Sequence, residues 1–146
     1  MKSLIIILAI ISTISAFTFN CSFHNAYGTN LLTTYSCFRP IIGNINQGEN
    51  LTAIYGTHES GKTNSDVKLL SIFPAIELPF FPRQLETFYP NLEAIEIGNT
   101  SISTLIGDEL NPLPNLSWFQ FFYHSTFERI PGNLFDATPL MRHIEF

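Results

Sequence analysis

Val67-Lys68-Leu69-Leu70-Ser71-Ile72 is the first of four six-residue segments that recur every 24 to 25 residues in this chain of 146 residues. The other three segments begin at Leu92, Leu116 and Met141, and all four have apolar residues at their first, fourth and sixth positions. A unit of this length cannot bury its apolar side chains alone, so copies must stack and share one continuous core. The repeat therefore predicts an α/β-type solenoid over residues 67–146, in which the segments form one parallel sheet.

The stretches between these segments are expected to return the chain along the outer side of the stack. Residues 80–89, 105–113 and 130–138 are rich in Pro, Asn and Gly, which favours short helices or 3₁₀ turns over long helices. No return stretch follows the fourth segment, which ends at Phe146, so the chain has about three and a half repeats. Two explanations stay open: a truncated C-terminal end, which we favour, or edge-to-edge self-association through the uncapped C-terminal strand.

The pattern LxxLxL, the Pro-Asn-Leu openings at Leu92 and Leu116, and the phrase Ile-Pro-Gly-Asn-Leu-Phe at 130–135 resemble leucine-rich repeats. The chain is also similar to secreted leucine-rich repeat proteins of the midge and mosquito type. In those proteins a cap with paired cysteines and a Gly-Thr-His-x-x-Gly-Lys segment precede the repeats, as Gly56 to Lys62 do here. The resemblance implies an arc with one parallel sheet on its concave face, few short helices or 3₁₀ turns on its convex face, and an N-terminal β cap.

The chain departs from that family at the asparagine that follows each strand and bonds the backbone of the neighbouring coil. The matching positions are Ala75, Thr100 and His124, with Asn99 one residue early. We therefore expect the asparagine ladder to be absent or shifted, and the turn after each strand to be irregular.

Three regions are predicted along the chain. Residues 1–16 have the layout of a secretory signal peptide, with Lys2, an apolar run at 4–11 and small residues up to Ala16. The apolar run is too short for a membrane span, which needs about 20 residues; an uncleaved signal anchor is the alternative. Residues 17–66 form the cap and a connector, and residues 67–146 form the repeats. We expect a secreted, extracellular protein with no membrane span in the mature chain.

The predicted cap contains both cysteines of the chain, Cys21 and Cys37. An even pair in an oxidising compartment usually forms a disulfide, whereas two free buried thiols or a zinc site are weaker alternatives. Residues 17–23, 35–39 and 51–55 are strand candidates around this pair. The bond would staple the end of the stack that no preceding repeat covers.

Composition narrows the classes of partner. Acidic residues outnumber basic ones by 12 to 7, and no basic patch alternates with aromatic residues, which argues against nucleic acid. Four Asn-x-Ser/Thr sequences are candidates for glycosylation in a secreted chain. They are Asn20, Asn50, Asn99 and Asn115.

The eight residues from Gly56 to Thr63 match the phosphate-binding pattern GxxxxGK[ST]. In a nucleotide-binding protein Lys62 would neutralise phosphates and Thr63 would hold Mg²⁺. Such a loop must open a long helix, but here the Val67 segment follows at once. We therefore interpret these residues as a connector and expect no cofactor, no metal site and no catalytic residues.

The third and fifth positions of each segment are predicted to point out of the concave side, away from the core. Trp118, the single tryptophan, would then be exposed, and aromatic residues among polar ones are typical of binding hot spots. The alternative is that Trp118 and Phe122 pack on each other or under a loop. The predicted surface consists of Leu69, Ser71, Ala94, Glu96, Trp118, Gln120, Phe122, Tyr123, His143 and Glu145.

These observations predict a non-enzymatic secreted leucine-rich repeat protein whose concave sheet binds an extracellular protein or a glycan. Two alternatives come from other classes. One is a nucleotide hydrolase that uses the loop from Gly56 to Thr63, and the other is a structural or storage secretion without a specific ligand.

Overall fold

A computed structural model of the chain describes residues 16–26, 33–42, 45–74, 78–122 and 128–146. The predicted signal peptide lies outside the described residues except for Ala16, as do Ala75, Tyr123 and His124. No helix in the described ranges is long and apolar enough to cross a bilayer.

The described residues form one seven-stranded sheet. In chain order the strands are β1 (Ala16–Ala26), β2 (Thr34–Ile42), β3 (Asn50–Tyr55), β4 (Leu69–Ile72), β5 (Ala94–Gly98), β6 (Trp118–Phe122) and β7 (His143–Glu145). They lie side by side in the order β3-β1-β2-β4-β5-β6-β7. The pair β1–β2 is antiparallel, and every other neighbouring pair is parallel. The cap strands and the repeat strands therefore belong to the same sheet.

Helices are few and short among the described residues. A 3₁₀ helix at Asn64–Asp66 precedes β4, and the α-helix α1 at Leu85–Phe88 lies in the first return stretch. The described parts of the later return stretches contain turns, as their Pro, Asn and Gly content predicts. The expected mixture of a parallel sheet and short helical turns is confirmed.

The register of the repeat strands agrees with the period in the sequence. Leu70 pairs with Ile95, Ile95 with Phe119, and Phe119 with Ile144, so the fourth positions of all four segments form one row. Cys37 of β2 pairs with Leu70 and extends this row into the cap. The alignment of the four segments is therefore confirmed.

The backbone bonds between copies repeat as well. The carbonyl oxygen of Lys68 accepts bonds from the amides of Glu93 and Ala94, and the carbonyl oxygen of Glu93 accepts bonds from the next two residues in register. Each segment is also entered through a turn, as when the amide of Leu92 donates to the carbonyl of Tyr89. The first two positions of each segment follow this turn and precede the strand. Each strand therefore begins at the third position, two residues later than predicted.

The main core lies on one side of the sheet. The first, fourth and sixth positions of the first three segments are buried there, as the pattern predicts. In the fourth segment Ile144 is 45% exposed and Phe146 is 48% exposed, because no further described strand covers β7. Burial in this core therefore decreases at the β7 edge.

A disulfide between Cys21 and Cys37 joins β1 to β2, with 5.2 Å between the two Cα atoms. The predicted pairing is confirmed. The hydroxyl of Tyr89 lies 3.1 Å from Sγ of Cys21 and donates to it, because a disulfide sulfur carries no proton. Tyr89 belongs to the first repeat and is fully buried, and this burial raises its pKa well above the ordinary value. The disulfide thus contacts the repeats as well as the cap.

Candidate binding face

The sheet has a second face, on the side away from the main core, formed by side chains that alternate with core residues along each strand. Two rows of this face cross β4 to β7. One, which we call the aromatic row, consists of Leu69, Ala94, Trp118 and His143. The other, which we call the acidic row, consists of Ser71, Glu96, Gln120 and Glu145. The third and fifth positions of every segment therefore share one face, as predicted.

The expected exposure of this face is wrong for four residues. Leu69, Ser71 and Ala94 are 1%, 3% and 0% exposed, and Trp118 is 9% exposed. Leu69, Ala94 and Trp118 form a second apolar cluster, against which Ala26 of the cap packs. The burial of these three apolar side chains shows that the cluster excludes water. The accessible part of the face is shifted toward β6 and β7.

Trp118 stacks on His143, with ring centroids 3.5 Å apart and an angle of 10° between the planes. The indole nitrogen Nε1 is buried and has no hydrogen-bond partner among the described residues. An enclosed donor without an acceptor costs about 1–3 kcal/mol. Trp118 therefore retains a hydrogen-bonding group that the described part of the fold does not satisfy.

The acidic row contributes an amide and a carboxylate at the same end of the sheet, Gln120 and Glu145. The side-chain nitrogen of Gln120 donates to Oε2 of Glu145 at 2.8 Å, and Nε2 of His143 lies 3.4 Å from the same oxygen. Glu145 is exposed and Glu96 is partly buried. The acidic row and the aromatic row meet where Glu145 contacts His143.

Phe122 borders the acidic row on the other side. Its ring centroid lies 5.3 Å from that of Phe73, and a Cβ atom placed on Gly98 would lie 2.4 Å from the Phe122 ring. Gly98 is therefore required for this close approach. Trp118 stacks on His143 and Phe122 leans over Gly98 toward Phe73, so each aromatic residue has its own partner.

The loop from Gly56 to Thr63 connects β3 to the 3₁₀ helix. Gly56 has φ +134°, and a Cβ atom there would lie 2.3 Å from the carbonyl oxygen of Cys21. The helix after the loop has three residues, and Lys62 forms an ion pair with Asp66 at 3.5 Å. Bonds from the Thr63 backbone and side chain, followed by the Lys62 charge, lower the pKa of Asp66. This geometry differs from the long helix and free lysine of a phosphate-binding loop.

The described histidines are separate from one another, and each lies against an aromatic ring. His24 contacts Phe38 edge-on at 5.2 Å, and His58 stacks on Phe23 at 3.8 Å. His58 also lies within hydrogen-bond distance of Tyr35 and Asn64, so it fixes the connector to the cap. In the described ranges no three His, Cys, Asp or Glu side chains are grouped as a metal site would require.

An asparagine ladder is present, but at the start of the segments. The side-chain nitrogen of Asn91 donates to the carbonyl of Ser65 at 2.9 Å, and that of Asn115 donates to the carbonyl of Pro90 at 3.3 Å. The Asn115 bond joins one copy to the copy before it, and the Asn91 bond joins its copy to the connector that precedes the first segment. The sequence predicted a ladder that is absent or shifted from its position after the strand; it is shifted, to the asparagines of the recurring Pro-Asn-Leu phrase.

The four glycosylation candidates differ in their surroundings. Asn20 in β1 and Asn99, at φ +52° after β5, are exposed, whereas Asn50 is partly buried at the start of β3. The fourth candidate, Asn115, uses its amide in the ladder. The first two are therefore the more accessible to modification.

The second face brings together several polar and aromatic groups. It offers carboxylate oxygens, an amide, an imidazole stacked on an indole, and one enclosed N–H donor. Comparisons of the chain with protein-family models, with curated proteins and with solved structures found no match.

Proposed function

We propose that this chain is a secreted, non-enzymatic leucine-rich repeat protein. Its copies stack as a solenoid, its second face is the concave one, and that face binds an extracellular protein. Support for repeat stacking comes from the register that links the fourth positions of β4 to β7. Support for an extracellular location comes from the Cys21–Cys37 bond, because structural disulfides persist in oxidising compartments.

The observation that carries the binding role is the Trp118–His143 stack beside the acidic row. Trp118 combines a large ring with an N–H that has no acceptor among the described residues, and Glu145 nearby is exposed. Tryptophan at the centre of an interface, surrounded by polar groups, is the residue type that contributes most to protein binding. A partner that supplied an acceptor to this N–H would remove its desolvation penalty.

A protein partner fits this face better than a neutral glycan. Sugars bind aromatic side chains by stacking on a free ring face, but His143 occupies one face of Trp118. The indole also packs in the cluster with Leu69 and Ala94. The exposed groups around it are charged or hydrogen-bonding, as in the rim of a protein interface.

Differential capture from extracellular fluid tests the proposal. A protein retained by the native chain would be purified, and its Kd measured against the native chain, Trp118→Ala, Glu145→Gln and the control Glu128→Gln, which changes an exposed carboxylate outside the second face. We expect Trp118→Ala to weaken binding by about 2 kcal/mol or more, and Glu128→Gln to leave it unchanged. A partner with the same Kd for all four chains would bind elsewhere and would contradict the proposal.

A further inference from the structure

We infer that the second face recognises a basic segment of its partner, and that the acidic row receives the guanidinium or ammonium group. This inference rests on the proposed binding function and adds the chemistry of the ligand. It comes from the charges on the face, the aromatic groups beside them, and a guanidinium already held at one end of the same row.

All charged side chains of the acidic row are negative. Its members on β4 to β7 include Glu96 and Glu145 and no lysine or arginine. Neighbouring strands lie about 4.8 Å apart, so the Cα atoms of these two residues stand about 10 Å apart with Gln120 between them. A single guanidinium above Gln120 can approach both carboxylates and donate charge-assisted hydrogen bonds to them.

Aromatic groups border the carboxylates on both sides. Trp118 and His143 lie on one side, and Phe122 with Phe73 lies on the other. Cations bind over the open faces of aromatic rings, but His143 covers a face of Trp118, so the rings here contact the apolar stem of a basic side chain rather than its charge. A strip of carboxylates between aromatic residues therefore suits a basic side chain with an apolar stem, because the stem contacts the rings while the charge reaches the carboxylates.

Arg39 shows this arrangement within the fold. Its guanidinium carbon lies 5.0 Å from the centroid of the Phe38 ring. Phe38 pairs with Ser71, so it extends the acidic row into the cap. The opposite end of the row, at Gln120 and Glu145, has the same combination of aromatic neighbours and adds the negative charge.

The enclosed indole N–H of Trp118 gives a second criterion for the ligand, which is that it carries a hydrogen-bond acceptor. Trp118 is 9% exposed, and its N–H has no acceptor among the described residues. A cation alone could not satisfy a donor, but a peptide brings carbonyl oxygens together with its basic side chains. The two observations together favour a basic peptide segment over a free cation or an anionic ligand.

Trp118 fluorescence tests the inference directly, because the chain has one tryptophan. The probes are three synthetic peptides of equal length built on glycine and serine, carrying three arginines, three glutamines or three glutamates. Titrations are made at physiological ionic strength, where screening suppresses attraction by the net charge of the chain. We expect saturable binding of the arginine peptide, with a Kd about tenfold or more below that of the glutamine peptide, and no binding of the glutamate peptide.

Matched variants distinguish the effect of the acidic row from the effect of the overall charge of the protein. Glu96→Gln and Glu145→Gln should each raise the Kd of the arginine peptide about fivefold or more. Glu128→Gln removes one negative charge outside the second face and should change the Kd of the arginine peptide by less than about twofold. Equal effects of all three variants would overturn the inference, since binding would then follow net charge alone.

Two other outcomes would also overturn it. Equal binding of the glutamine and arginine peptides would remove the preference for cations and leave the proposed protein-binding face in place. If no peptide bound saturably while the captured partner still depended on Trp118 and Glu145, only the inference would fail. Loss of that dependence would instead remove the proposed function.

Discussion

Trp118 combines two environments that usually exclude each other. Its ring is packed as tightly as a core residue, yet it lies on the face of the sheet opposite the main core, and its N–H is enclosed without an acceptor. Phe119, the next residue along the strand, is fully buried in the main core. Phe119 therefore stabilises the main core, whereas Trp118 packs on the second face and retains an unsatisfied donor.

Replacing Trp118 by Phe should change the free energy of unfolding by less than about 1 kcal/mol. The substitution keeps an aromatic ring against His143 and removes the unsatisfied N–H donor. The loss of buried apolar area and the removal of the donor's desolvation penalty therefore offset each other. Phe119→Ala, by contrast, should cost about 3–5 kcal/mol. Denaturant midpoints monitored by circular dichroism compare the two variants. A loss above about 2 kcal/mol for Trp118→Phe would mean that the indole N–H has a partner.

Glu109 should make stability depend on pH. Burial raises its pKa from 4.5 to about 7, although the amide of Ile106, which donates to its Oε2 at 2.8 Å, and the charge of Arg83 act in the opposite direction. An acid with a raised folded-state pKa contributes stability that is complete below pH 4.5 and is lost as the pH rises through about 7.

Glu109→Gln should therefore be more stable than the native chain at pH 8, by about 1–2 kcal/mol after solvent screening is considered. At pH 4 the two proteins should have nearly equal stability, because the native carboxyl is then protonated. Urea unfolding at both pH values measures this difference. An unchanged difference between pH 4 and pH 8 would show that Glu109 titrates normally in the fold.

At the scale of elements, the strand register and the main core were predictable from the sequence, and the burial of side chains on the second face was not. The period of 24 to 25 residues is sufficient by itself to align β4 to β7. Whether Leu69 or Ala94 is exposed depends on what lies beside it on neighbouring strands, and Trp118 and Ala26 are distant in sequence. The new position of the asparagine ladder was not predicted for a different reason: the family pattern describes a position after the strand, whereas Asn91 bonds before it.

Extending the asparagine ladder should stabilise the fourth copy. Leu140 occupies the position of Asn91 and Asn115, is 48% exposed, and cannot donate a bond to the preceding copy. Leu140→Asn should raise the free energy of unfolding by about 0.5–1 kcal/mol through one added hydrogen bond. The reverse change, Asn91→Leu, should lower it by about 1 kcal/mol. Thermal unfolding of both variants provides the measurement, and a stabilising Asn91→Leu would contradict the role of the ladder.

The disulfide should contribute about 3 kcal/mol, because it closes a loop with a sequence separation of 16. We expect the double variant Cys21→Ser, Cys37→Ser to lose that amount and to unfold in the cap first. Tyr89→Phe is the control, since it removes only the hydroxyl that contacts the sulfur and should cost less than about 1 kcal/mol. Hydrogen exchange would locate the loss; uniform acceleration across β1 to β7 would mean that cap and repeats unfold together.

At the scale of the whole molecule, the proposed binding face is a property of the sheet and not of any one segment. Each segment contributes one residue to each row, so the pairing of Glu96, Gln120 and Glu145 exists only when β5, β6 and β7 lie in register. This explains why the strand register could be predicted from a single period, while the composition of the site required the neighbours of each strand. It also makes the face sensitive to any shift of one residue, since such a shift would exchange the two faces.

Thiol labelling at two adjacent positions of β5 tests the assignment of the faces most directly. Glu96 is partly exposed on the second face, and Ile97 is fully buried in the main core. In the native fold Glu96→Cys should react with a maleimide on the order of a hundredfold or more faster than Ile97→Cys, which reacts only after local opening. In denaturant the two thiols should react at equal rates. Equal protection in the native fold, or faster reaction of Ile97→Cys, would mean that the strand presents its other face, and the proposed binding surface would be lost with it.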